Sequence, residues 1–132
     1  MQGLHLLVAE DNEVNREVLA AMLAHLGHTP RFAHDGRAAL DAVRTDPFDA
    51  VLMDLHMPEL DGVAATRAIR ALPGARGRLP IVALTADAFA DSRTRCLEAG
   101  MNDFLTKPVT LDALALVLAR TTANTQVTAT AK

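Results

Sequence analysis

Tryptophan and tyrosine are absent from the 132 residues, and phenylalanine occurs only four times. A hydrophobic core must therefore be assembled from Leu, Val, Ala and Met. The single cysteine, Cys96, excludes an internal disulfide framework and suits a reducing compartment. No apolar run approaches the roughly 18 residues that cross a bilayer. The opening "MQGLHLLVAEDN" has no basic n-region and too short an apolar block for a signal peptide, so a cytoplasmic protein is expected. Basic excess is missing too. A net charge of −3 argues against direct nucleic-acid binding. Neither GxGxxG nor GxxxxGK occurs, and no Gly-rich phosphate loop follows the first apolar run, which disfavours a nucleotide or flavin binder.

What is present is a chain half apolar, long enough for one domain with a single sizeable core. Short β-type runs alternate with stretches of helical period. The runs are "LHLLVA" (4–9), "TPRFAH" (29–34), "DAVLMD" (49–54), "IVALT" (81–85) and "NDFLT" (102–106). Pro30 cannot donate to a ladder, which places the second run near an edge. The third is apolar at consecutive positions, as in strands covered on both faces. Helices are predicted over 12–27, from Asp35-Gly36 through "RAALDAVRTD", and over 62–72, 88–100 and 110–122. In the first, Val14, Val18, Leu19, Met22, Leu23 and Leu26 are assigned to one apolar face. Residues 73–80 are predicted to be loop, and 123–132 a disordered polar tail.

Five strands alternating with five helices predict an α/β fold. The sheet is expected to be parallel with helices on both faces, and if it is doubly wound, strands 1, 3, 4 and 5 are neighbours. In such sheets ligands bind beyond the carboxyl ends of the strands, at the switch point. Glu10 and Asp11 follow strand 1, Asp54 ends strand 3, Thr85 ends strand 4, and Lys107-Pro108 follows strand 5. Three carboxylates, one hydroxyl and one ammonium would meet in one crevice. Carboxylates that close call for a hard, oxygen-liganded cation such as Mg²⁺. One of them can serve as a nucleophile and form an aspartyl phosphate, with lysine and metal stabilising the transferring phosphoryl group.

Four segments carry a resemblance: "LLVAEDNEVNREVL", "DAVLMDLHMPELDGVAATRAIR", "PIVALTADAF" and "CLEAGMNDFLTKPV". Over about residues 4–121 the chain resembles the response-regulator receiver domains of bacterial two-component signalling, most of all those of hybrid histidine kinases. The resemblance implies a doubly wound, flavodoxin-like fold of strand order 2-1-3-4-5 over residues 1–122, in which Asp54 accepts a phosphoryl group from a phosphohistidine. It implies that Glu10, Asp11, Asp54 and the backbone carbonyl of His56 surround Mg²⁺ (or Mn²⁺), Asp11 directly and Glu10 through water. It gives Lys107 and Thr85 the phosphoryl oxygens, Thr85 and Phe104 a conformational switch, and Lys107-Pro108 a cis peptide. The output would be the surface of helix 4, strand 5 and helix 5. The implied partner is a histidine kinase or a histidine-phosphotransfer protein, met by a monomer or weak dimer. The implied module is a phosphoacceptor, not an enzyme with an external substrate, and is either stand-alone or part of a hybrid kinase. Two departures stand out. The acidic pair is Glu-Asp instead of Asp-Asp, and Phe104 lacks the hydroxyl of the commoner tyrosine, so its coupling to Thr85 rests on packing.

Taken singly, each of these residues has a plainer reading. Asp54 could form a turn before Pro58, Glu10 and Asp11 could cap helix 1, Lys107 could be a surface lysine and Phe104 a core residue. Asp35-Gly36, Asp61-Gly62 and Asp103 read as punctuation, Cys96 as an apolar filler, and the five histidines show no metal-ligand spacing. Two rival functions share the fold: a phosphorylation-independent scaffold, and a phosphatase with an aspartyl nucleophile. The phosphatase needs a second acid two residues after Asp54, where His56 stands, and the scaffold has no use for Asp54, Thr85 and Lys107 together.

Overall fold

The computed structural model describes residues 3–55, 61–86 and 90–130, excepting the side chains of 90–93 and 123–130. The strands are β1 (His5–Ala9), β2 (Thr29–Ala33), β3 (Ala50–Asp54), β4 (Ile81–Thr85) and β5 (Asp103–Thr106). The helices are α1 (Glu13–His25), α2 (Gly36–Thr45), α3 (Gly62–Arg70), α4 (Ala90–Ala99) and α5 (Leu111–Thr130). All strand pairs are parallel and the sheet order is β2-β1-β3-β4-β5, so the predicted topology is the observed one. Pro30 lies on the edge strand β2, where its missing N–H can face away from β1.

The pleat sends alternate residues to opposite faces, and each face receives its own helices. Leu7, Val51, Met53, Ile81 and Ala83 pack under α2, α3 and α4. Leu6, Val8, Leu52, Val82 and Leu84 pack under α1 and α5. Every residue of β3 and β4 is buried, which is why those strands are apolar up to their terminal Asp54 and Thr85. Helix starts are set by short polar side chains. Asn12 accepts from Asn15 N at 3.0 Å, Asp35 from Ala38 N at 2.7 Å and Asp61 from Ala64 N at 2.8 Å. Thr110 does the same for Ala113 N at 3.2 Å.

Three expectations are corrected. Val14 and Val18 do not share the buried face of α1 with Leu19 and Leu23; they are 65% and 46% exposed. At about 3.6 residues per turn, the nine steps from Val14 to Leu23 make about 2.5 turns and put Val14 opposite Leu23. The loop predicted over 73–80 contains a 3-10 helix, Gly74–Arg78. α5 runs to Thr130, beyond residue 122, through a stretch without the proline or glycine that would stop it.

Candidate functional site

Because the strands are parallel, the carboxyl ends of β1, β3, β4 and β5 lie side by side along one edge of the sheet. The order reverses at β1, whose neighbours are β2 and β3, and this is the switch point where ligands bind in such sheets. Register completes the alignment. Asp54 pairs with Leu84, one residue before Thr85, and Thr85 pairs with Thr106, one residue before Lys107.

Glu10, Asp11 and Asp54 each offer a carboxylate oxygen, and the three oxygens lie within 4.8 Å of one another. Glu10 is wholly buried, Asp54 is 3% exposed and Asp11 is exposed at the lip. Lys107 Nζ stands 2.9 Å from Glu10 Oε1 and 3.0 Å from Asp54 Oδ2, bridging the two buried acids. A buried carboxylate without a partner would be costly, so this ammonium holds the pair in place. Burial by itself disfavours the charged lysine. Its hydrogen bonds and charge attraction to Glu10 and Asp54 outweigh that effect and raise the pKa above the ordinary lysine value. Lys107 therefore remains a cation at neutral pH.

The backbone around the acids is tied down. Asn12 N donates to Glu10 Oε2 at 3.1 Å, and Glu10 N donates to Ala33 O at 3.0 Å. Arg16 reaches back six residues to donate from Nη1 to Glu10 O at 3.0 Å. Lys107 N donates to Thr85 O at 2.7 Å, which couples the end of β5 to the end of β4. The Lys107-Pro108 peptide is cis. Thr85 is buried at the end of β4, and Phe104 is half-buried against the core layer under α2, α3 and α4. His56 lies outside the described residues.

A cavity of about 130 Å³ adjoins Glu10. Asn15, Val18 and Leu19 line it from α1, Pro108 and Val109 from the β5–α5 turn, together with Lys107. Two contributors escaped sequence reasoning. Gly62, read as punctuation, lies so close to the end of β3 that a Cβ there would sit 2.2 Å from the Asp54 carbonyl oxygen. Arg16 is an ordinary helix-surface cation in any pattern. Only the fold shows that its side chain reaches the carbonyl of Glu10.

The donors are hard oxygens, three carboxylates against one ammonium, and this set suits a small divalent cation that keeps part of its water. A doubly wound parallel sheet presenting such acids, a threonine and a lysine at its carboxyl edge defines a phosphoacceptor module. The chain belongs to the response regulator receiver domain family, whose model matches residues 6–119. It is 45% identical over 114 residues to the sensor histidine kinase RcsC of Salmonella typhi. That match covers 86% of this chain and 12% of the relative, so the chain corresponds to a small part of such a kinase. Among solved structures it is similar to the receiver domain of a Pseudomonas aeruginosa sensor histidine kinase with magnesium coordinated in its active-site cleft. The TM-score is 0.85 at 45% identity, over 92% of this chain and 98% of that one. It is also similar to the Ssk1 receiver domain of Saccharomyces cerevisiae, solved with the histidine phosphotransfer protein Ypd1. There the TM-score is 0.84 at 28% identity, over 92% and 90% of the two chains.

Proposed function

We propose that Asp54 is the phosphoacceptor of this receiver domain, fed by a phosphohistidine on a histidine kinase or a histidine-phosphotransfer protein. The observation that carries the reading is the Lys107 bridge between Asp54 and Glu10, with the Asp11 carboxylate beside them. An Asp54 oxygen attacks phosphorus, the P–N bond breaks, and its electron pair returns to the imidazole. Lys107, already aimed at Asp54 Oδ2, follows the phosphoryl oxygens as charge develops on them. Thr85 donates to the phosphoryl group after transfer, and Phe104 repacks with it, so that the surface of α4, β5 and α5 reports the change. Glu10, Asp11 and Asp54, with the His56 carbonyl, would hold Mg²⁺ or Mn²⁺, which neutralises charge on the phosphoryl oxygens.

The module promotes its own phosphorylation and has no external substrate. It works in the cytoplasm over residues 1–122, as a monomer or weak dimer, alone or within a hybrid kinase. The exposed Val14 and Val18, the latter lining the cavity at Lys107, offer the partner an apolar contact on α1. The test is labelling by acetyl phosphate with Mg²⁺, read as a mass gain of one phosphoryl group. The wild type gains it and Asp54→Ala does not. Undiminished labelling of Asp54→Ala would sink the assignment.

A further inference from the structure

β5 is four residues long, lies at the edge of the sheet and has only β4 for a neighbour, yet it delivers Lys107 to the site. A slip of one residue in such a strand moves it about 3.3 Å and turns every side chain to the other face. Neither of the Lys107 contacts at 2.9 and 3.0 Å would survive that. What holds the register therefore decides whether the site exists.

The holding point is at the far end of the strand. Asn102 N donates to Ile81 O at 2.8 Å, and Ile81 N donates to Asn102 Oδ1 at 2.8 Å. One residue thus makes both bonds of a ladder step, one with its backbone and one with its side chain. The same oxygen accepts from Arg70 Nη2 at 3.0 Å. Arg70 Nε also donates to Gly100 O at 2.8 Å, and its Nη1 to Gly77 O at 3.1 Å. One guanidinium from the last residue of α3 therefore ties the turn before β5 to the 3-10 helix before β4. Gly100 takes φ +107° in that turn, and a Cβ there would come within 2.9 Å of the Arg70 side chain.

We propose that Arg70 and Asn102 are positioning residues for the phosphoacceptor site: they lock the register of β5 and through it place Lys107 against Asp54. This rests on the phosphoacceptor reading above. The acids follow β1 and end β3, outside the lock, so loss of the lock separates two properties that general unfolding would change together. Arg70→Ala and Asn102→Ala are expected to slow acetyl phosphate labelling of Asp54 roughly ten- to a hundredfold, as a misplacement of about 1 Å does. Mg²⁺ affinity by calorimetry should stay at the wild-type value. Hydrogen exchange should quicken at amides 103–107 and not in β1 or β3. The double variant should be no slower than the worse single, because both act on one strand. Asn102→Asp, which keeps the acceptor oxygen, should label at close to the wild-type rate, and so should Arg67→Ala, an exposed neighbour on α3.

Wild-type labelling rates in Arg70→Ala and Asn102→Ala would overturn the proposal. So would a fall in Mg²⁺ affinity in step with the rate, or unchanged exchange over 103–107. Failure of the wild type to label at all would instead remove the phosphoacceptor reading, while the exchange data would still show whether the two residues hold β5.

Discussion

Gly62 packs its backbone against the strand end that carries Asp54, with its own N–H donating to Leu55 O at 3.2 Å. The approach leaves no room for a methyl group on backbone that cannot swing aside. Gly62→Ala is expected to destabilise the fold by about 1–3 kcal/mol, the usual cost of overpacking. It should also displace the β3 end enough to slow labelling of Asp54. Chemical denaturation and labelling rate, measured on the same sample, check both effects. A variant of wild-type stability would show that α3 shifts at no cost. Arg16, by contrast, donates to the carbonyl of Glu10, while the two carboxylate oxygens go to Asn12 N and Lys107.

α1 divides its apolar residues between two jobs. Leu19 and Leu23 enter the core, while Val14 and Val18 stay exposed, Val18 on the cavity beside Lys107. Removing an exposed methyl group costs little stability, within about 0.5 kcal/mol. Val18→Ser should therefore leave the thermal midpoint and acetyl phosphate labelling near wild type. Transfer from a histidine-phosphotransfer partner should weaken by about tenfold, equivalent to about 1.4 kcal/mol of lost contact. Equal loss with both donors would mean that Val18 serves the chemistry, not the partner. The two faces of α1 were not separable from composition. Only the packing of α1 on the sheet shows which valines are left over.

At the scale of the whole molecule, the two ends of the sheet do different things. The carboxyl edge carries the acids and Lys107. At the opposite edge, His28 Nδ1 accepts from Leu4 N at 3.0 Å, closing the start of β1 against β2, and Asp49 Oδ2 accepts from His5 N at 2.8 Å. Burial lowers the His28 pKa, against a smaller raising effect of Asp49. An imidazole that accepts at Nδ1 must be neutral there. The folded state thus binds this proton less readily than the unfolded chain does. The contribution is fully present above the ordinary histidine value of about 6.5 and is lost as pH falls below it toward the depressed folded value. Thermal midpoints of the wild type should fall between pH 7.5 and 5.5 by more than those of His28→Asn, which keeps an acceptor oxygen and cannot titrate. Identical slopes for the two proteins would refute the assignment.

The alternation of apolar strands with amphipathic helices was enough to predict a parallel sheet covered on both faces, and the strand order followed from the resemblance to receiver domains. A parallel sheet needs long crossovers, and right-handed crossovers leave few arrangements. The placement of acids, threonine and lysine after particular strands was legible for the same reason, since parallel strands end together. Contacts across many residues were not. Arg70 meets Gly100 and Asn102 across 30 and 32 positions, and Gly62 meets Asp54 only because α3 folds back on β3. No period or motif records such distances, because each depends on where two elements come to rest. Residue type and order thus determined which chemistry gathers at the sheet edge. Packing decided which valines α1 leaves exposed, what braces the Glu10 carbonyl and what keeps the β5 register.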